Sequence, residues 1–288
     1  MENISELKQH LHAVEQTRQI SNAMYLLSTS RMKKSMRNIE YNLTYMRRLR
    51  ATMKDIISKT KRSMLSNPYI ELTEGGKALF FVITSDKGLC GGYNSAVFNL
   101  AMEKIRQYGE PVVYSLGLKG TEMFLSRGIT PDGSWYGASQ RPSIYLARLL
   151  GEQIVELYAD RTVSEVYTEY VNSAVQKPVC KRVLPLLRRD FADVEYENKY
   201  SAEVLYEPDM QTVFEQMAPQ YVIGMIYDII MQSSASENAA RMTAMQNATK
   251  NADKMIASLT EQINSVRQLV ITNEITEIAA ASQVQGAV

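Results

Sequence analysis

Apolar residues recur at steps of three and four along two stretches of this chain, and neither stretch contains a helix breaker. From about Gln220 to Ala281 the chain reads as one long helix: between Met225 and Gln285 there is no Gly and no Pro, and Ala, Met, Gln, Glu and Lys dominate. At 1.5 Å per residue, about 60 residues span roughly 90 Å, too long to be buried end to end in one small domain. Its expected seam is Ile226, Ile230, Ser233, Glu237, Ala240, Ala244, Ala248, Ala252, Met255, Leu259, Ile263, Val266 and Val270, with large groups at the ends and small ones in the middle. Small residues let helix axes approach closely but bury little area each, and the apolar ends demand a partner helix.

The first residues supply that partner. No Gly or Pro precedes Pro68, so residues 3–65 form a second rod, with Asn3 or Ser5 as its cap and Glu6 completing a capping box with Asn3. Ile4, Leu7, Leu11, Val14, Met24, Ser28, Met32, Met36, Ile39, Leu43, Met46, Met53 and Ile57 mark its apolar face, with a gap around Thr17 to Ser21. The economical arrangement is an antiparallel coiled coil of the two termini, provided that the residues between them fold compactly and return the chain near its departure point.

After Pro68 the texture changes. Every Gly except Gly224 and Gly286 lies between 75 and 151, interleaved with β-branched runs, which describes an α/β domain. Lys77–Thr84 reads as a buried strand, followed by a Gly-rich turn and a helix from about Asn94 to Tyr108. Pro111–Leu116 is a second strand, Leu118–Arg127 a short helix and Ile144–Ala159 a longer one. Thr162–Ser173 alternates as a strand, Gln176–Leu184 can pair with it, and Arg189–Tyr200 is a linker. The expected fold class is therefore α/β: a long antiparallel two-helix coiled coil from the chain termini (1–67 and 208–288) around a central Rossmann-like, mostly parallel open sheet (68–207).

A formal net charge of +1 and 22% charged residues imply no general attraction to polyanions. Charge is nevertheless uneven: Arg31, Lys33, Lys34, Arg37, Arg47, Arg48, Arg50, Lys54, Lys59, Lys61 and Arg62 face only Glu40 and Asp55 on the first rod. A solvated face or a surface for an acidic protein both fit; nucleic acid is disfavoured because no aromatic interleaving or reading motif accompanies the charge. Neither rod is apolar enough to span a bilayer, and the acidic start Met1-Glu2-Asn3-Ile4-Ser5-Glu6 has no apolar targeting core.

Candidate chemistry centres on Ser85-Asp86-Lys87-Gly88-Leu89-Cys90-Gly91-Gly92-Tyr93-Asn94, placed between a strand and a helix where phosphate loops occur. It matches neither the dinucleotide nor the triphosphate template, so anion binding stands beside a tight turn in which Asp86 or Asn94 bonds backbone amides. Cys90 and Cys180 are the two cysteines; with His10 and His12 both on the first rod, no Cys–His pair or metal cluster is indicated. The residues thus point to no catalytic group, cofactor or metal. Polar residues in the C-terminal rod, including Glu237, Asn238, Arg241, Gln246, Asn247, Asn251, Arg267, Gln268, Thr272 and Asn273, exceed what register alone requires and suggest an enclosing partner.

Four separated motifs carry a family resemblance. Thr17-Arg18-Gln19-Ile20-Ser21-Asn22-Ala23-Met24 with Ser30-Arg31-Met32, the Ser85–Asn94 loop, Gly117-Leu118-Lys119-Gly120, and Ser234-Ala235-Ser236-Glu237 followed by Ala240–Ala252 and Arg267–Ile278 occur in order. The chain resembles the gamma subunits of F-type ATP synthases over essentially its whole length. The resemblance implies a non-catalytic rotary shaft that turns inside a ring of alternating alpha and beta subunits, with the epsilon subunit and the membrane sector's c-ring at its foot. It further implies that Arg267, Gln268, Thr272, Met24, Arg31 and Lys33 contact beta, that Glu203, Tyr206 and Glu207 meet epsilon and the c-ring, and that the complex sits on the cytoplasmic side of a bacterial plasma membrane. A free-standing coiled-coil scaffold with an α/β head and a nucleotide-binding α/β protein are the alternative readings.

Overall fold

The computed structural model describes residues 4–59, 69–70, 78–138, 140, 142–158, 162–194 and 205–285. Its elements are α1 (Ile4–Lys59), β1 (Ala78–Ile83), α2 (Tyr93–Ile105), β2 (Pro111–Leu116), α3 (Leu118–Leu125), β3 (Gly133–Trp135), α4 (Ile144–Tyr158), β4 (Thr162–Tyr170), β5 (Gln176–Leu184) and α5 (Met210–Gln285), with a 3₁₀ turn at Arg188–Phe191. Two compact units emerge, one of Met1–Leu27 with Met242–Val288 and one of Ser28–Arg241. Asn3, the expected cap, and Lys61 and Arg62 lie outside the described residues.

In the first unit, the terminal part of α1 packs on the far part of α5. Leu7, Leu11 and Val14 share a cluster with Ala252, Ile256, Leu259, Ile263 and Val266, and Arg18 reaches Asp253 at 3.2 Å. Met242, Ala244, Met245, Ala248 and Thr249 are at least partly covered on α5, and beyond them Ala252, Ile256, Leu259, Ile263 and Val266 are. From Ala252 to Val266 the alternating steps of four and three make the 3.5-residue repeat of a left-handed coil. The expected seam is covered except at two positions: Met255 is 46% exposed while its neighbour Ile256 is covered, and Val270 lies in a run that is exposed on every side. Met255 and Ile256 are both apolar, so a one-residue shift of about 100° around the helix was invisible in the pattern there.

In the second unit the same repeat runs along α1 through Ser28, Met32, Ser35, Ile39, Asn42, Met46, Leu49, Met53 and Ile56, all buried. The expected face is covered here at every position but one: Leu43 is 53% exposed and Asn42 takes the inner position. Asn42 Nδ2 donates to the Gly224 carbonyl at 3.1 Å and Ser35 to Ser234 at 3.1 Å. As numbers rise on α1 they fall on α5, so the helices are antiparallel. Gly224 permits the approach: a Cβ there would collide with Met46 Sδ. In the first unit the expected gap is present, residues 15–20 being exposed, and buried Ser21 resumes the repeat.

The sheet has strand order β3-β2-β1-β4-β5, parallel except for the β4–β5 pair. Strand β1 is central and apolar on both faces. Leu79, Phe81 and Ile83 point into a large core with α4 and with the Met46–Ile57 and Phe214–Ile230 parts of α1 and α5. Ala78, Phe80 and Val82 join Val97, Phe98, Ala101 and Ile105 of α2 and Phe124 of α3 on the other side, the helix-covered arrangement of parallel strands.

Two features differ from the expected elements. Strand β3 is only three residues, below the length at which alternation is legible, and exists by pairing with β2. Helix α5 begins at Met210, ten residues before Gln220, and carries Pro219 internally. Asp209 caps it by accepting from Thr212 N at 2.9 Å and Thr212 Oγ1 at 2.8 Å. Those bonds, the backbone one foremost, hold the Asp209 carboxyl below its usual range. The lost backbone bond at Pro219 is offset by packing, with Phe214, Ala218, Tyr221 and Val222 all buried.

Candidate functional site

The Ser85–Asn94 loop leaves β1 and is held from within. Asn94 Oδ1 accepts from Ser85 N at 2.9 Å, and Ser85 Oγ donates to the Lys87 carbonyl at 2.7 Å. Asp86 accepts from Leu118 N at 3.2 Å, Gly137 N at 2.9 Å and Gln140 Nε2 at 3.2 Å, clamping the loop to α3 and the segment after β3. The Ser85, Asp86 and Asn94 side chains are therefore engaged in holding the loop. Cys90 is buried, and burial pushes its thiol pKa up, away from a reactive thiolate. Among the described residues no cluster of three or more His, Cys, Asp or Glu could hold a metal.

Helix α5 closes on this loop through a buried ion pair. Arg241 and Glu237, one turn apart, meet at 2.7 Å with side chains 5% and 3% exposed. The guanidinium also donates to the carbonyls of Lys87 at 3.0 Å and Gly88 at 3.2 Å. Nearby, Tyr93 Oη donates to Ser233 O at 3.4 Å and Ser236 Oγ to Thr168 O at 3.1 Å. Tyr93 is held firmly as a neutral phenol, first by burial and then by the Glu237 charge. The Gly117-Leu118-Lys119-Gly120 motif supports the same corner: a Cβ on Gly120 would come within 2.6 Å of Thr84 Oγ1, which instead accepts from Gly120 N at 2.9 Å.

The residues expected to meet partners fall in separate places. Arg267, Gln268 and Thr272 belong to a run from Arg267 to Ala279 that is exposed on every side, including Leu269, Ile271, Ile275 and Ile278. Thr272 Oγ1 bonds back to the Gln268 carbonyl at 2.8 Å. Met24 is half-buried in the same unit; with Arg18 opposite Asp253, it stands about 30 Å along the coil from Arg267. Arg31 and Lys33 are exposed on α1 in the other unit, beside exposed Lys34 and Arg37.

The basic run of α1 thus divides in two. Arg50 binds Asp193 at 2.7 Å, Lys54 the Val194 carbonyl at 2.6 Å and Lys59 Asp55 at 2.8 Å, so these three serve the fold, whereas Arg31 to Arg37 face outward. Tyr206 is half-buried and donates to Asp55 Oδ2 at 2.6 Å, Glu207 is exposed, and Glu203 lies outside the described residues. Burial would raise the Asp55 carboxyl, but bonds from Lys59 and Tyr206 with the Lys59 charge outweigh it and leave its pKa lowered.

A full-length signal accompanies this geometry. A protein-family model described as ATP synthase matches residues 3–283. The ATP synthase gamma chain of Halothermothrix orenii is 32% identical over 287 residues, covering 98% of this chain and 99% of that one. The chain belongs to the ATP synthase gamma-chain family. A second gamma chain, from Alkaliphilus metalliredigens, is 33% identical over 284 residues, covering 97% and 98%. In fold, this gamma-family chain is similar to a chain of the Euglena gracilis mitochondrial ATP synthase, with a TM-score of 0.68 at 16% identity and coverage of 99% and 95%. It is also similar to a chain of the Tetrahymena thermophila mitochondrial ATP synthase central stalk and c-ring structure, with a TM-score of 0.58 at 23% identity and coverage of 80% and 99%.

Sequence reasoning noticed the polar marks on α5 of this gamma-family chain without separating their duties. Glu237 and Arg241 are internal, Arg267 to Glu274 external, and nothing in residue type distinguishes them. The available signal was spacing: Glu at i and Arg at i+4 in an Ala-rich run is a helical ion pair with its partner built in.

Proposed function

We propose that this chain is the central rotary shaft of an F-type ATP synthase, coupling rotation of an ion-driven c-ring to ATP synthesis or hydrolysis in an alpha–beta ring. The observation that carries the reading is the match to gamma chains over nearly the whole length of both partners. The exposed apolar and polar end of α5 supports it, since Leu269, Ile271, Ile275 and Ile278 left in water call for a surrounding surface. In this reading Arg267, Gln268 and Thr272 bear on beta subunits as the shaft turns, and Met24 lies against the same ring lower down. Arg31 and Lys33 steer an acidic beta loop by charge. Tyr206 and Glu207, with Glu203, form the foot that meets epsilon and the c-ring.

The shaft performs no bond chemistry. Its asymmetric surface biases each beta site in turn among states that bind ADP and phosphate, hold ATP and release it, because a contact can shift an equilibrium only by its differential energy with the two states. No helix among the described residues is long and apolar enough to cross a membrane, and the proposed location is peripheral, on the cytoplasmic face of a bacterial plasma membrane. Membrane vesicles reconstituted with and without this chain test the reading: ATP-driven ion pumping requires it, and equal pumping in its absence would refute the assignment. Arg31→Glu with Lys33→Glu should weaken assembly or coupling by about tenfold at low salt and less at high salt; unchanged coupling at both would remove the electrostatic role.

A further inference from the structure

We propose that Arg241 locks the α/β sheet to helix α5 against rotation about the helix axis, and that it does so by grasping the backbone carbonyls of Lys87 and Gly88. The inference rests on the shaft reading and assigns the residue through which torque passes between sheet and helix.

Within the second unit α5 is joined to the sheet in two different ways. From Phe214 to Ile230 the joint is an apolar core, whose adhesion is non-directional and which sets the helix's angle through packing alone. From Gln232 to Arg241 it is polar: Tyr170 N donates to Gln232 Oε1 at 3.0 Å, Ser236 Oγ to Thr168 O at 3.1 Å, and Arg241 to the loop. Hydrogen bonds weaken steeply with distance and angle, so this half fixes the helix's rotational setting.

Arg241 is the last residue of the second unit and the strongest of these links. Nη1 holds Glu237 at 2.7 Å, Nη2 spans the Lys87 and Gly88 carbonyls at 3.0 and 3.2 Å, and Nε reaches Gly88 O at 3.3 Å. A planar fork makes this set; an ammonium cannot. The loop is shaped to receive it. Leu89 holds the left-handed φ of 63°, unusual for a branched residue, and Ser85 Oγ donates to the same Lys87 carbonyl at 2.7 Å. Asn94 in turn positions Ser85, with Nδ2 to Oγ at 2.8 Å. A left-handed residue outside glycine persists where its surroundings hold it, and this one sits beside the carbonyl the guanidinium grasps.

The test uses the assembled complex in membrane vesicles and reads ions pumped per ATP hydrolysed. A merely structural role lowers complex yield, pumping and hydrolysis together and leaves that ratio unchanged. Arg241→Lys and Asn94→Ala should keep hydrolysis within about twofold of wild type while the ratio falls at least about threefold, because each loosens the carbonyl grasp and keeps the charge balance. Glu237→Gln with Arg241→Met removes both buried charges; its ratio should stay low. A wild-type ratio in Arg241→Lys, or recovery in the double variant, would overturn the proposal by reducing Arg241 to a counter-charge. If the double variant does not assemble, Arg241→Lys and Asn94→Ala decide. Normal pumping without the chain would instead refute the shaft reading itself, so the two failures are distinct.

Discussion

Gly117 offers a sharp test of how the sheet corner is built. It holds φ at 117°, a Cβ on it would overlap the Thr84 carbonyl oxygen, and that Cβ would come within 2.7 Å of Thr84 Oγ1. The obstacle is backbone, so no rotamer change relieves Gly117→Ala. The backbone angle alone costs about 1–3 kcal/mol for an L side chain. Displacing Thr84 or Gly117 further disturbs Thr84 N to Leu116 O at 2.7 Å, Gly117 N to Trp135 O at 2.8 Å and Gly120 N to Thr84 Oγ1 at 2.9 Å. Each is worth about 1 kcal/mol net, so a loss of about 4–6 kcal/mol is expected. Gly128→Ala is the control: φ is +73° but nothing lies within 4 Å of the added Cβ, so only the backbone cost of about 1–2 kcal/mol applies. Urea unfolding of the full chain, followed by emission of Trp135, the sole tryptophan, reports on this corner directly. Gly117→Ala within about 1 kcal/mol of Gly128→Ala would refute the close-approach argument.

Two further outcomes follow from burial and charge. Ile256→Ser should destabilise the first unit by about 1–2 kcal/mol and Met255→Ser by less than about 0.5, measured by thermal unfolding; the reverse order would return Met255 to the seam in place of Ile256. Among the described residues Asp228 Oδ1 has no hydrogen-bond partner, and burial raises its pKa above 3.8, opposed by Lys181 and reinforced by Glu169. A carboxyl raised on folding contributes stability below its unfolded pKa and loses it as pH rises through the folded value. Asp228→Asn should therefore raise the melting temperature at pH 7 and leave it unchanged near pH 3; a neutral-pH loss would show that the ionised form is favoured.

Much of this protein was legible without tertiary structure because its signals are local. Two breaker-free runs mean long helices whatever surrounds them, and Ala78–Ile83, apolar at every position, means a strand buried on both faces. The duties within those elements were not local. Asn42 and Ser35 have no place in an apolar pattern, yet antiparallel pairing sets them against Gly224 and Ser234. Met255 and Ile256 are equivalent as letters, and only the partner helix selects between them. The Ser85–Asn94 loop was open in sequence to an anion site or a tight turn; the fold engages its Asp86 carboxylate with Leu118 and Gly137 and its Lys87 carbonyl with Arg241. Periodicity and propensity determine which elements exist, because neighbours in sequence set them. Which polar groups are internal bonds and which face outward was decided by tertiary structure, because burial depends on residues some 150 positions away, as the Arg241–Lys87 bond shows.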